Sequence, residues 1–145
     1  MEKKNIDWSN LGFDYVKTDY RFVADYKNGT WQEGTLTEDE NVVINECAGV
    51  LQYAQTIFEG MKAYTTADGR TVTFRPDLNA ERMEQSAVRL EMPIFPKDKF
   101  VEAVLKTIKA NEAYVPPYGS GATLYVRPYM FGSNPVIGVK PADEY

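Results

Sequence analysis

With 145 residues, 43% of them hydrophobic and 13% aromatic, the chain suits a single domain with a real core. Its 21 acidic and 16 basic side chains leave a net charge of -5 without a basic cluster, which argues against nucleic acid or an anionic membrane as a partner. Histidine is absent and Cys47 is the only cysteine, so Ser-His triads, Cys-His dyads, intrachain disulfides and the usual zinc or facial-triad iron sites are excluded together.

Any chemistry must use Lys, Arg, Tyr or carboxylates, and no metal is expected. Cys47 reads as a small buried hydrophobe, and a lone cysteine suits a reducing compartment. Residues 1–8 lack the apolar core of a secretion signal, and no run approaches the roughly 20 apolar residues that span a bilayer. The expectation is a soluble, cytoplasmic protein.

Residues 13–31 read as strand, turn, strand, with Asn28-Gly29 suited to a two-residue type I′ turn. Residues 34–41 are polar, and 42–44 and 50–53 read as brief strands joined through Gly49. A second hairpin pairs 61–65 with 71–74 around Asp68-Gly69. The period then changes from two to about 3.6. Pro76 and Asp77 open a helix over 77–90, with Met83, Ser86, Ala87 and Leu90 on one face and Asn79 and Arg82 at its N-terminal end. A second helix over 97–111 carries the stripe Phe100, Val101, Val104, Leu105 and Ile108. Val115-Pro116-Pro117 stops it, Gly119-Ser120-Gly121 reads as a linker, and 122–131 is a strand. Strands, then a helix pair, then a strand predict an α+β fold: a mostly antiparallel sheet with two helices packed on one face.

The stretch 51–64, LQYAQTIFEGMKAY, is the piece around which the rest is organised. Tyr53 and Phe58 bracket its corner, a phenol and a bare ring that suit a pocket holding an apolar side chain, or else belong to ordinary core. Arg82 can grip a phosphate bidentately, or lie on the surface paired with Asp77 or Glu81. Tyr125 and Arg127 are two apart on a strand and so share a face, where they can hold a carboxylate or simply line a solvated edge.

These pieces occur in one order, and the chain resembles the N-terminal part of the branched-chain amino-acid aminotransferases, fold type IV pyridoxal phosphate enzymes. The residues that carry the resemblance are 51–64, then Phe74-Arg75-Pro76 with Asn79, Arg82, Met83 and Ser86, Arg89-Leu90 with Met92-Pro93, and Leu124-Tyr125-Val126-Arg127-Pro128. The resemblance runs from Leu11 onward. It implies that Arg82 binds the cofactor phosphate, that Phe13, Phe58 and Tyr125 line the pocket for the branched side chain, and that Tyr53 and Val139 serve the neighbouring subunit's site. Arg127 would hold the side-chain carboxylate of glutamate or 2-oxoglutarate. Two positions depart from the family: Gln52 stands where it often has His, and Ala54 where it often has Gly.

The resemblance also implies an N-terminal small domain over 1–145 that lacks its last strand, with the large domain and the Schiff-base lysine outside this chain. None of the lysines here, Lys62 included, matches that lysine. The parent is then expected to transfer an amino group reversibly between Leu, Ile or Val and 2-oxoglutarate as a homodimer. The chain alone is expected to be inactive and not to hold pyridoxal 5′-phosphate. Two alternatives are a D-amino-acid aminotransferase or aminodeoxychorismate lyase relative, and a non-catalytic binding or assembly module on the same fold.

Overall fold

The computed structural model describes residues 2–12 and 14–145. Its strands are short and antiparallel: β1 (Arg21–Val23) pairs with β4 (Thr35–Thr37), and β2 (Tyr26–Lys27) with β3 (Thr30–Trp31). Asn28 and Gly29 both have positive φ, 54° and 77°, as the predicted type I′ turn requires. The polar segment after Gly34 is not only a link, since β4 closes the first ladder there. Val42 to Ile44 form no strand.

The run read as a strand over 50–53 is instead a short helix, α1 (Gly49–Tyr53). A brief apolar run does not distinguish the two by period. Here Val50 N–H donates to Gly132 O (3.1 Å) and Ala54, at φ 52°, turns the chain left-handed to close the helix.

Four further strands build the centre: β5 (Thr56–Phe58), β6 (Met61–Thr65), β8 (Leu124–Val126) and β9 (Tyr129–Phe131), with β7 (Thr71–Thr73) on the outer edge of β6. Phe58 lies opposite Tyr129 and Met61 opposite Val126, so one antiparallel register runs through both pairs. The break falls at Glu59-Gly60 against Arg127-Pro128, where Glu59 N–H donates to Pro128 O (2.8 Å) and Pro128 has no N–H to return. The strand predicted over 122–131 is therefore one strand bent at its proline.

Two helices cover the inner face. α2 (Pro76–Arg89) and α3 (Lys97–Ala110) match the predicted pair to within a residue at each end. α2 buries Ala80, Met83 and Ala87, and α3 buries Phe100, Val104 and Ile108, against Ile57, Met61, Ala63 and Met130 of the strands. Burying one of the larger of these side chains, a Met, Phe, Val or Ile, contributes roughly 1.5–3 kcal/mol. Leu90 and Leu105, assigned to these stripes, are exposed. A Schellman turn ends α2: Met92 N–H reaches Ala87 O (2.9 Å) and Glu91 N–H reaches Val88 O (3.2 Å), with Glu91 at φ 54°. Cys47 is half-exposed, not the buried hydrophobe expected, because its loop runs over the surface ahead of α1.

Alternation assigns the faces of the bent pair. Ile57, Glu59, Met61 and Ala63 turn inward, while Phe58, Lys62, Tyr64, Tyr125, Arg127 and Tyr129 turn outward. The fold is α+β with antiparallel strands and two main helices, as expected, though among the described residues the strands form four separate sheets.

Candidate functional site

The corner Phe58-Glu59-Gly60 joins two clusters of side chains. On its outer side Tyr125 Oη accepts from Arg127 Nε (3.2 Å) and Nη2 (2.9 Å). The guanidinium lies 4.5 Å from the centre of the Phe58 ring and 5.2 Å from that of Tyr125. Each such stacking is worth about 0.5–1 kcal/mol when exposed. Gly60 makes the arrangement possible, since a Cβ there would sit 2.5 Å from Tyr125 Oη. The result is an open aromatic face with a cation held over it, Phe58 being 58% and Tyr125 50% exposed.

On its inner side the Glu59 carboxylate, 2% exposed, receives Arg82 Nε and Nη2 at 2.7 Å each. Asn79 Nδ2, one turn earlier on α2, donates to the same carboxylate (2.8 Å) and to Gly60 O (3.3 Å). Burial pushes the Glu59 carboxyl up, but the hydrogen bonds from Arg82 and Asn79 and the Arg82 charge outweigh it and hold the group below its ordinary value. Glu59 in turn holds the Arg82 guanidinium more firmly ionised.

The expected surface pairing of Arg82 with Asp77 or Glu81 is not made. Asp77 pairs with Arg75 (2.6 Å), which lowers its carboxyl to about 2, and Glu81 pairs with Lys97. The cause is position: at 65% exposure the Arg82 head reaches outward, and its neighbour there is the strand corner.

Phe58, Tyr125 and Arg127 thus come together, and Arg82 joins them through Glu59. Tyr53 lies elsewhere, lining a small cleft with Gly49, Gln55, Gly138 and Lys140. Val139, between the last two, is 93% exposed. Phe13 lies outside the described residues. Glu59 and Gly60 were missed as site residues. The signal was available in the phase of 57, 59, 61 and 63, which puts one acid among inward apolar residues. Among the described residues no acidic or cysteine cluster suits a metal ion, and no helix is long and apolar enough to cross a membrane.

Arg82 fits a phosphate: two of its five guanidinium hydrogens go to Glu59, the rest face outward, and among the described residues nothing else engages them. No model of a protein family matches the chain. A branched-chain-amino-acid aminotransferase of Haemophilus influenzae is 52% identical over 142 residues, 98% of this chain and 41% of that protein. The Escherichia coli branched-chain amino acid aminotransferase superposes with a TM-score of 0.65 at 24% identity, over 88% of this chain and 39% of that one. A T.th. branched-chain amino acid aminotransferase complexed with N-(5′-phosphopyridoxyl)-L-glutamate does so with a TM-score of 0.62 at 25% identity, over 86% and 37%. The chain spans about two fifths of the length of the curated relatives it matches. By sequence and by fold, this chain is similar to the N-terminal part of the branched-chain amino-acid aminotransferases.

Proposed function

We propose that this chain is the N-terminal small domain of a pyridoxal phosphate-dependent transaminase that moves an amino group between Leu, Ile or Val and 2-oxoglutarate. The observation that carries the reading is the outer cluster, in which one guanidinium lies over two aromatic rings. Phe58 and Tyr125 give an apolar wall for a branched side chain. Arg127 keeps hydrogens free for the side-chain carboxylate of glutamate or 2-oxoglutarate, so one pocket serves both partners. Arg82 holds the cofactor phosphate, and the cofactor, when bound, supplies an electron sink for carbanion chemistry. Tyr53 and Val139 face the second subunit of a homodimer.

The Schiff-base lysine belongs to a second domain, without which the chain is inactive and binds the cofactor weakly: a single arginine offers a few kcal/mol, about what association costs. A further strand completes the small domain. Two observations support it: Ser133 N–H donates to Glu144 O (2.9 Å) while Tyr26 and Tyr145 exchange both backbone bonds (2.9 and 3.2 Å), a strand's alternation between two neighbours. Beyond them a groove of about 690 Å³ opens between β1 and the β8–β9 run. A cytoplasmic location goes with this reading.

The test is steady-state kinetics of the full-length polypeptide. Arg127→Ala is expected to lower kcat/KM for 2-oxoglutarate about 10- to 100-fold, the worth of one or two charge-assisted bonds, and that for leucine only a few-fold. Equal losses on both substrates, or activity on D-amino acids in place of leucine, overturn the reading.

A further inference from the structure

Glu59 is costly where it sits. Its carboxylate is 2% exposed while its partner Arg82 is 65% exposed, so the pair gives up the hydration of the acid. Buried ion pairs of this kind contribute little net stability compared with apolar residues of the same shape. Glu59 also removes positive charge from an arginine that needs it to attract an anion. Stability and charge thus both argue against an acid here, and geometry argues for one.

The geometry is specific. Glu59 takes Nε and one hydrogen of Nη2 side-on at 2.7 Å each, and is itself fixed by Asn79 Nδ2 at 2.8 Å and by its own N–H to Pro128 O at 2.8 Å. Arg82 has a long, flexible side chain, and its rotamers are narrowed before any ligand arrives. What remains turned outward is the far edge of the guanidinium, both hydrogens of Nη1 and the second of Nη2, a fork matched to two phosphate oxygens. Asn79 also donates to Gly60 O (3.3 Å), tying α2 to the corner that carries Phe58.

We propose that Glu59 is a positioning residue that holds the Arg82 guanidinium edge-on to a phosphate monoester and sets its place relative to the Phe58 corner. The claim rests on the reading of Arg82 as the phosphate-gripping residue of the pyridoxal phosphate site. Because the acid opposes the anion electrostatically, its removal separates orientation from charge. If orientation dominates, affinity falls when the acid is neutralised; if charge dominates, affinity rises.

The experiment measures equilibrium binding of pyridoxal 5′-phosphate, and of unphosphorylated pyridoxal, to the full-length polypeptide by absorbance and fluorescence. Variants are Glu59→Gln, which keeps shape and one acceptor, Arg82→Lys, and the two combined, each checked for folding by its thermal midpoint. Glu59→Gln is expected to weaken pyridoxal 5′-phosphate roughly 2- to 10-fold, the cost of ordering one long side chain on binding, and to leave pyridoxal unchanged. In the Arg82→Lys background it should add nothing, since its effect passes through the guanidinium. Tighter binding by Glu59→Gln, equal losses for both probes, or additivity with Arg82→Lys overturns the proposal. Should Arg82→Lys itself leave pyridoxal 5′-phosphate affinity unchanged, the parent reading of Arg82 fails. Should it weaken binding while Glu59→Gln does not, only the role of Glu59 fails. If Glu59→Gln does not fold, Asn79→Ala takes its place: it removes one restraint on the same carboxylate, is expected to weaken only the phosphorylated probe, and overturns the proposal if both probes weaken alike.

Discussion

A buried acid held by an arginine and an asparagine makes Glu59 the residue through which acid should reach this fold. Its carboxyl is held below the ordinary 4.5, so the folded form binds its proton less readily than the unfolded chain. Its stabilisation is complete above the unfolded value and is lost as pH falls through the folded one. Asp77, lowered from 3.8 to about 2 by Arg75, behaves the same way at lower pH, but as an exposed pair it counts for less. Glu59→Gln should therefore flatten the acid limb of stability below about pH 4.5. Denaturant midpoints measured from pH 3 to 6 check this, and an unchanged slope would show that other carboxylates control the limb.

At the scale of the element, α1 shows why Ala54 matters. It ends the helix at φ 52°, the left-handed region that costs an L-residue roughly 1–2 kcal/mol and glycine almost nothing. The position is one of the two at which this chain departs from the family it resembles, which often has Gly there. Ala54→Gly is expected to stabilise the fold by about 1 kcal/mol, less the entropy glycine adds to the unfolded chain. The readout is the denaturant midpoint at constant slope. A loss of stability would mean that Ala54 makes contacts beyond its backbone conformation. The other departure, Gln52, is occupied locally, its Nε2 donating to Glu46 O at 2.8 Å.

For the whole molecule the open edge and the exposed faces decide association. Pro128 O and Gly132 N bond toward the β5 side, so by alternation the N–H groups of Tyr129 and Phe131 face the groove between β1 and β9. Exposed Phe58, Tyr125 and Val139 add apolar surface. We expect the chain to self-associate, either through the face near Val139 or through strand pairing along this edge. Val139→Asp should weaken the first mode and spare the second, whereas Phe131→Pro, which removes an N–H turned to the groove, should do the reverse. Sedimentation at several concentrations distinguishes them. A monomer of about 16.5 kDa at every concentration would end the proposal.

Local period and turn chemistry sufficed for much of this molecule: both long helices, the Asn28-Gly29 turn, the second hairpin and the shared face of Tyr125 and Arg127 are properties of neighbours in the chain. Ordered residue identities along its length sufficed for the family. Tertiary structure alone decided what depends on distant partners. It made 49–53 a helix, because Gly132 O caps the run from 82 residues away in sequence and a left-handed Ala54 closes it. It drew β4 out of a polar stretch by pairing it with β1. It gave Arg82 the acid at Glu59, 23 residues off, in place of the nearer Asp77 and Glu81. The reason is the same each time: period reports which side of an element a residue occupies, and only packing determines what stands opposite.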